Sequence, residues 1–321
     1  MLSKALARWF TVVGVAGLAP LAGALAARYS RLANRYVLIC ASALPVSAGV
    51  GPICAALLAL AGHRRLGGAA AALSAAALAT QVRSFGSNDP DSAGPDLTVM
   101  SVNVWVGRAD AESLVSAAAA RAAVLAVQEL TAEALARLSA AGIDEAFPHR
   151  LVDARPEAAG IGLWSVYPIS QTREIGGFCM PALAVRLRVP GVSIDPTVVV
   201  AHLESPLKPG DWNRDIGALA VALGDADSWA AGGSVIVAGD FNSTLDMRGF
   251  REALPNGYCD ATEQARAGFK PTWPDTRWTP PLFAIDHVLT RRCRASSVYT
   301  APVAASDHRA LVARVHLPPT A

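Results

Sequence analysis

A chain of 321 residues exceeds one average domain, so a core domain with an additional segment is expected. Its net charge of +2 conceals a division: residues 1–83 carry eight Lys or Arg and no Asp or Glu, leaving 20 basic against 26 acidic residues for the remainder. That acidic remainder weighs against tight, sequence-independent nucleic-acid binding, which needs a basic footprint.

Residues 1–83 read as a membrane anchor. The uncharged runs 9–27 and 36–62, the second containing Pro45 and Pro52, are long enough for a hydrocarbon core that takes about 20 residues. A third uncharged run, 66–82, is mostly Ala and Gly and inserts less readily. Buried core helices are the plainer alternative for such runs. The pattern predicts about three transmembrane helices and a multi-pass protein of the cell membrane. Four basic residues on one side of the spans face three on the other, with Arg83 near the last span, which is nearly a tie; an internal amino terminus and an extracytoplasmic catalytic domain are favoured. A cleaved signal peptide over the first run gives the same side.

The polar, Pro- and Gly-containing stretch 84–96 reads as a linker. From residue 97 to 321 the text changes to short apolar runs between turn residues, with strands expected at 97–105, 123–127, 197–203, 234–239, 284–289 and 310–317. Between them, Asp110 caps a helix to about 120, Thr131 caps one ending near 142, and 214–230 has apolar residues at helical spacing. Strands and helices mix without strict alternation, which suggests an α/β sandwich over a doubly wound parallel sheet. Cys179, Cys259 and Cys293 in this domain permit at most one bridge.

Chemistry gathers at the carboxyl ends of the expected strands, where ligand sites of α/β folds tend to lie. Asn103 ends the first strand and Glu129 follows the second. Glu129 offers a hard carboxylate suited to Mg2+ or Mn2+, with Asn103 and Asp307 as further oxygen donors. In Gly239-Asp240-Phe241-Asn242, Asp240 can activate a water and Asn242 can donate to a phosphoryl oxygen, whereas Phe241 reads as core. Glycine at 239 permits close approach of backbone to a ligand. Asp286 and His308 form a candidate carboxylate–imidazole pair, and His202 a candidate proton donor to the leaving group. His287 adjoins Asp286 and is a lesser candidate. Trp212, Arg214, Trp273 and Trp278 can make an interfacial or phosphate-binding rim, although each is more simply core or solvated surface. Singly, each motif is weak; their fixed order is specific.

The ordered set resembles the endonuclease/exonuclease/phosphatase superfamily over residues 97–318. The resemblance implies a four-layer α/β sandwich of two mixed, mostly antiparallel sheets, and divalent-metal hydrolysis of phosphate esters. Asn103, Glu129 and Asp307 would belong to the metal site. Asp240 with Asn242 would serve water and phosphate, Asp286 with His308 would be the dyad, and His202 would match the first family histidine. With the amino-terminal spans, Thr272-Trp273-Pro274 and Ile285-Asp286-His287 resemble the bacterial teicoplanin-resistance (VanJ-like) branch. That branch implies a lipid-linked (undecaprenyl) pyrophosphate substrate and a role in antibiotic resistance. A surface-tethered nuclease or other phosphodiesterase is the first alternative, an inactive tethered binding module the second.

Overall fold

The protein is described by a computed structural model covering residues 3–86 and 94–319, so most of the expected linker 84–96 lies outside the described residues. Two compact units make up the chain: Met1–Arg83 with Leu245–Arg251, and Ser84–Thr244 with Glu252–Ala321.

The first unit holds α1 (Lys4–Tyr29), α2 (Arg35–Ser42), α3 (Leu44–Leu60) and α4 (Arg64–Ala79). Ser3 caps α1 by accepting the Leu6 N–H, and Asn34 caps α2 by accepting those of Tyr36 and Val37. Leu21, Ala24, Leu44, Ala48 and Ala77 form the core. Small residues let the helices close up: a Cβ at Gly51 would run into Ser74 Oγ. On α1, by contrast, Trp9, Val12 and Val15 are exposed.

The expectation of three spans is corrected here. Among the described residues only α1, with 26 residues, is long and apolar enough to cross a membrane by itself. α2 and α3 qualify only as a joined pair bent by 59°. The break falls at Ala43, just ahead of Pro45, whose ring supplies no N–H to continue a helix. α4 has 16 residues, a reach of about 24 Å against a hydrocarbon core of about 30 Å. The multi-pass expectation thus reduces to one candidate span, which a signal sequence would equally match, or two candidates if the bent pair counts as one.

The second unit begins with β1 (Asp96–Asn103), α5 (Ala111–Ala119), β2 (Val124–Gln128), α6 (Ala132–Ala140) and α7 (Ile143–Ala146). β3 (His149–Asp153), β4 (Ile161–Ser165), β5 (Ile169–Ile175), β6 (Ala182–Leu187) and β7 (Thr197–His202) follow. α8 (Pro209–Trp229), β8 (Val235–Asp240), α9 (Arg248–Ala253, of which residues 248–251 belong to the first unit), β9 (Cys259–Asp260) and α10 (Ala261–Gln264) lead to β10 (Asp286–Arg291), β11 (Arg294–Ala301) and β12 (Ala310–His316). All six expected strands are present within two residues of their expected ends. Asp110 and Thr131 do cap α5 and α6, accepting the N–H groups of Ser113 and Ala134. α8 starts earlier than expected because Pro209 sits in its first turn, where a missing N–H costs nothing. All five cysteines are free.

Two six-stranded mixed sheets result, in the orders β11-β12-β1-β2-β4-β3 and β5-β6-β7-β8-β10-β9. Only β1–β2 and β7–β8 are parallel; the remaining pairs are antiparallel. Side chains alternate across each strand, so Leu97 and Val99 of β1 join Val198, Val200, Ile236 and Ala238 in a core between the sheets. Met100 and Val102, on the other face of β1, pack with Leu114 and Ala118 of α5 and with Leu138 of α6. α8 buries Ile216, Leu219 and Leu223. Helices therefore flank a two-sheet sandwich.

Candidate active site

Strand direction explains why the site forms where it does. β1, β2, β7 and β8 end on one edge, and the antiparallel β10 and β12 start there. The register sets Asp240 between His202 on β7 and Asp286 on β10. Gly239 is required by this pairing: a Cβ there would strike the Ala201 carbonyl oxygen on β7. Its small size thus serves strand packing, where the sequence suggested approach to a ligand.

Asn103 joins the two sheets. Its Nδ2 donates to Glu129 Oε1 at 2.8 Å and to Asp240 Oδ2 at 3.0 Å. Its Oδ1 accepts the Trp105 N–H at 2.9 Å. Glu129 Oε2 accepts the Val106 N–H at 2.6 Å. Glu129, Trp105 and Val106 all have φ between +50° and +60°, which is costly for a β-branched residue such as Val106. Nothing in the sequence announced that these two residues contact the carboxylate or its neighbour.

His202 and Asn242 meet on the far side of Asp240. His202 Nδ1 donates to the Ala158 carbonyl at 3.1 Å, so its Nε2 accepts from Asn242 Nδ2 at 3.3 Å. Asn242 Nδ2 also donates to the Leu203 carbonyl at 2.9 Å, and the Asn242 N–H donates to Asp240 Oδ1 at 2.7 Å. Asp240 Oδ2 lies 3.7 Å from His202 Nε2 and 3.8 Å from His308 Nε2. Burial, reinforced by the Asp286 charge, raises the Asp240 carboxyl above the usual range, against the pull of His308 and His202.

His308 Nδ1 donates to Asp286 Oδ2 at 2.9 Å. Burial alone would lower its affinity for a proton, but Asp286, Asp240 and Asp307 outweigh that and hold it at about 10. Ser306, part of the Ser306-Asp307-His308 motif but given no role by the sequence, orients this segment: its Oγ donates to the Asn103 carbonyl at 2.7 Å and accepts the His308 N–H at 3.0 Å. Asp307 Oδ2 accepts from Trp273 Nε1 at 3.2 Å. Burial, with a contribution from Glu129, raises the Asp307 carboxyl. Asp307 Oδ1 and Asp286 Oδ1 are buried without a hydrogen-bond partner.

The four rim candidates separate. Trp212 is core, 1% exposed, and Trp273 stacks on Phe283 beside His308. Arg214 lies 3.3 Å from Asp211 at the surface, and Trp278 is 84% exposed.

Two donor sets suit a divalent cation. Asp240, Asp286 and His308 offer ligand atoms within 4.8 Å of one another. Protonated His308, however, has no lone pair to give, so a proton competes for this place. The second set is Glu129 with Asp307, whose mutual repulsion and orphaned Oδ1 fit a hard cation that takes oxygen ligands.

A two-sheet sandwich with carboxylates, amides and imidazoles on one edge is a phosphoesterase fold. The chain belongs to the Endonuclease/Exonuclease/phosphatase family, whose sequence profile matches residues 100–308. Members are typically metal-dependent phosphoester hydrolases. Among solved structures, a humanized D. rerio TDP2 is 18% identical, with a TM-score of 0.57 over 69% of this chain and 99% of that one. The Bacteroides thetaiotaomicron mannosyl-6-phosphatase Bt3783 is 13% identical, with a TM-score of 0.53 over 68% and 99%. An endonuclease/exonuclease/phosphatase from Beutenbergia cavernae is 18% identical, with a TM-score of 0.54 over 70% and 72%. At these identities the likeness is one of fold. No curated protein sequence matches the chain.

Proposed function

We propose that this protein is a membrane-anchored, divalent-metal-dependent phosphohydrolase acting on a lipid-linked pyrophosphate outside the membrane. The observation that carries the hydrolase reading is the convergence on one edge of Asp240, Asn242, His202 and the Asp286–His308 pair beside Glu129 and Asp307. Glu129 and Asp307, assisted by Asn103, would hold Mg2+ or Mn2+. A bound cation would supply polarisation of the phosphoryl oxygens.

Asp240 receives the proton of an attacking water, and Asn242 orients a phosphoryl oxygen through its amide. His308, kept charged by Asp286, faces the negative charge that develops on phosphorus-bound oxygen. His202 holds the Asn242 amide through its Nε2, and the His308 Nε2 proton is available to the leaving oxygen. The lipid part of the reading is supported by α1, which has the length and composition of a span and exposes Trp9, Val12 and Val15. An anchor raises the effective concentration of the enzyme toward a substrate held in the same bilayer.

The test is phosphate release from undecaprenyl pyrophosphate in detergent with Mg2+, wild type beside Asp240→Ala and Glu129→Ala. Release that both substitutions abolish supports site and substrate together. Cleavage of DNA instead, under the same conditions, would replace the lipid substrate with a nucleic acid.

A further inference from the structure

Asp286 and His287 are neighbours on β10, so their side chains leave the strand on opposite faces. Asp286 meets His308 in the site. His287, 3% exposed, is buried on the other face against Asp260, also 3% exposed. His287 Nδ1 lies 2.7 Å from Asp260 Oδ2, and Nε2 lies 2.8 Å from the Ser243 carbonyl oxygen. Both partners are acceptors, so both ring nitrogens donate. The ring meets Phe241 edge-on, centroids 5.7 Å apart at 81°. Ser243 Oγ in turn accepts from Trp212 Nε1 of α8 at 2.9 Å.

Between Phe241 and Ser243 stands Asn242, with φ at +48°. Asparagine adopts that left-handed conformation more readily than other non-glycine residues, so the turn is easily formed and its neighbours fix where the amide points. On the site side, Asn242 is held by Asp240, Leu203 and His202. From beneath, His287 grips the residues on both sides of it.

We infer that Asp260 and His287 form a clamp under the 241–243 turn and act as positioning residues, fixing the Asn242 amide at the reacting phosphoryl group. The clamp rests on the hydrolase reading given above. Asp260 aims the imidazole while its Oδ1 caps α10, accepting the Thr262 N–H at 2.8 Å. The imidazole transmits that aim to the Ser243 carbonyl.

The test compares two charge-free variants of the full-length protein in detergent. In Asp260→Asn, the introduced amide donates to His287 Nδ1, and Nε2 keeps its proton on the Ser243 carbonyl. Asp260→Asn/His287→Phe keeps an aromatic edge against Phe241 but has no donor. Relative to the single variant, the double variant is expected to lose about 10- to 100-fold in kcat on undecaprenyl pyrophosphate, with KM within about twofold. Backbone amide exchange over 241–244 should rise about tenfold, with β1 unchanged.

In an Asn242→Ala background the kcat loss should disappear, because the clamp acts through that residue. Persistence of the full loss there, or equal exchange over 241–244 in the two variants, overturns the clamp. If wild type releases no phosphate, the lipid-substrate reading fails, and the exchange comparison still decides whether the clamp exists. Should the Phe variant unfold, seen as fast exchange along β1 and β8 too, His287→Met, smaller and also without a donor, takes its place.

Discussion

Two buried carboxylate–imidazole pairs lie on opposite faces of one strand, and they are finished to different degrees. On the face of β10 turned away from the core between the sheets, Asp260–His287 is closed: both ring nitrogens have an acceptor within 2.8 Å. On the site face, Asp286–His308 is open: His308 Nε2 stops 3.8 Å from Asp240, and Asp286 Oδ1 has no partner. Buried polar groups are normally satisfied, so the unfinished pair marks the place built for something not part of the chain. The same chemistry holds a turn where it is complete and awaits a ligand where it is not.

The largest difference should be in turnover. His308→Ala or Asp286→Asn is expected to lower kcat by about 10²- to 10⁴-fold, the usual worth of a positioned proton-carrying group. A kcat loss no larger than that of Asp260→Ala would erase the distinction between the pairs.

Breaking the closed pair should act mainly on the fold. Asp260→Ala leaves the His287 ring buried with a donor unmatched, at a cost of roughly 3–5 kcal/mol in denaturant unfolding. A smaller effect separates the metal-binding carboxylates from both pairs. Adding Mg2+ to chelator-treated protein at about 100 times its Kd should stabilise it by about 2.7 kcal/mol, and Asp307→Asn or Glu129→Gln should remove that gain.

A last effect, read on a different axis, is a slope with pH in the metal-free protein. His308 is raised in the folded state, to about 10, from an ordinary value near 6.5. Its contribution to stability is therefore complete below about 6.5 and is lost as pH rises through about 10. Asp286→Asn should flatten the fall in urea-derived stability across this window, and the slope that remains belongs in part to His287, which Asp260 also raises against the effect of burial.

Strands with continuous apolar runs were legible in the sequence because burial on both faces demands them. β8, Val235–Asp240, is buried throughout, as is β7. β5, Ile-Ser-Gln-Thr-Arg-Glu-Ile, was not legible, since this edge strand is largely exposed and carries polar residues. β11 escaped notice for the same reason, with five of its eight residues only partly buried or exposed and only Ala295, Val298 and Ala301 in the core.

Within the site, the residues with reactive side chains could be picked out from motif and order. Trp105 and Val106 could not, because they act through a backbone N–H that any sequence supplies, and Ser306 stood in a motif without its hydroxyl's role being visible. Trp212 shows the converse limit: aromatic and near a basic residue, it suggested a membrane rim, yet its ring is core and its N–H ties down Ser243. The anchor was misjudged through length, since an uncharged run can end in a bend at Ala43 that hydropathy does not register.

One amide spans the seam of the sandwich. Asn103 Nδ2 gives one hydrogen to Glu129, which follows β2 in the first sheet, and the other to Asp240 at the end of β8 in the second. Hydrogen bonds of 2.8 and 3.0 Å weaken steeply with small displacements, so a slip of about 1 Å between the sheets would part the metal side of the site from the water side. The reaction centre is therefore a caliper set across two halves of a fold: it reads the gap between them, and it goes out of tolerance while each half is still intact.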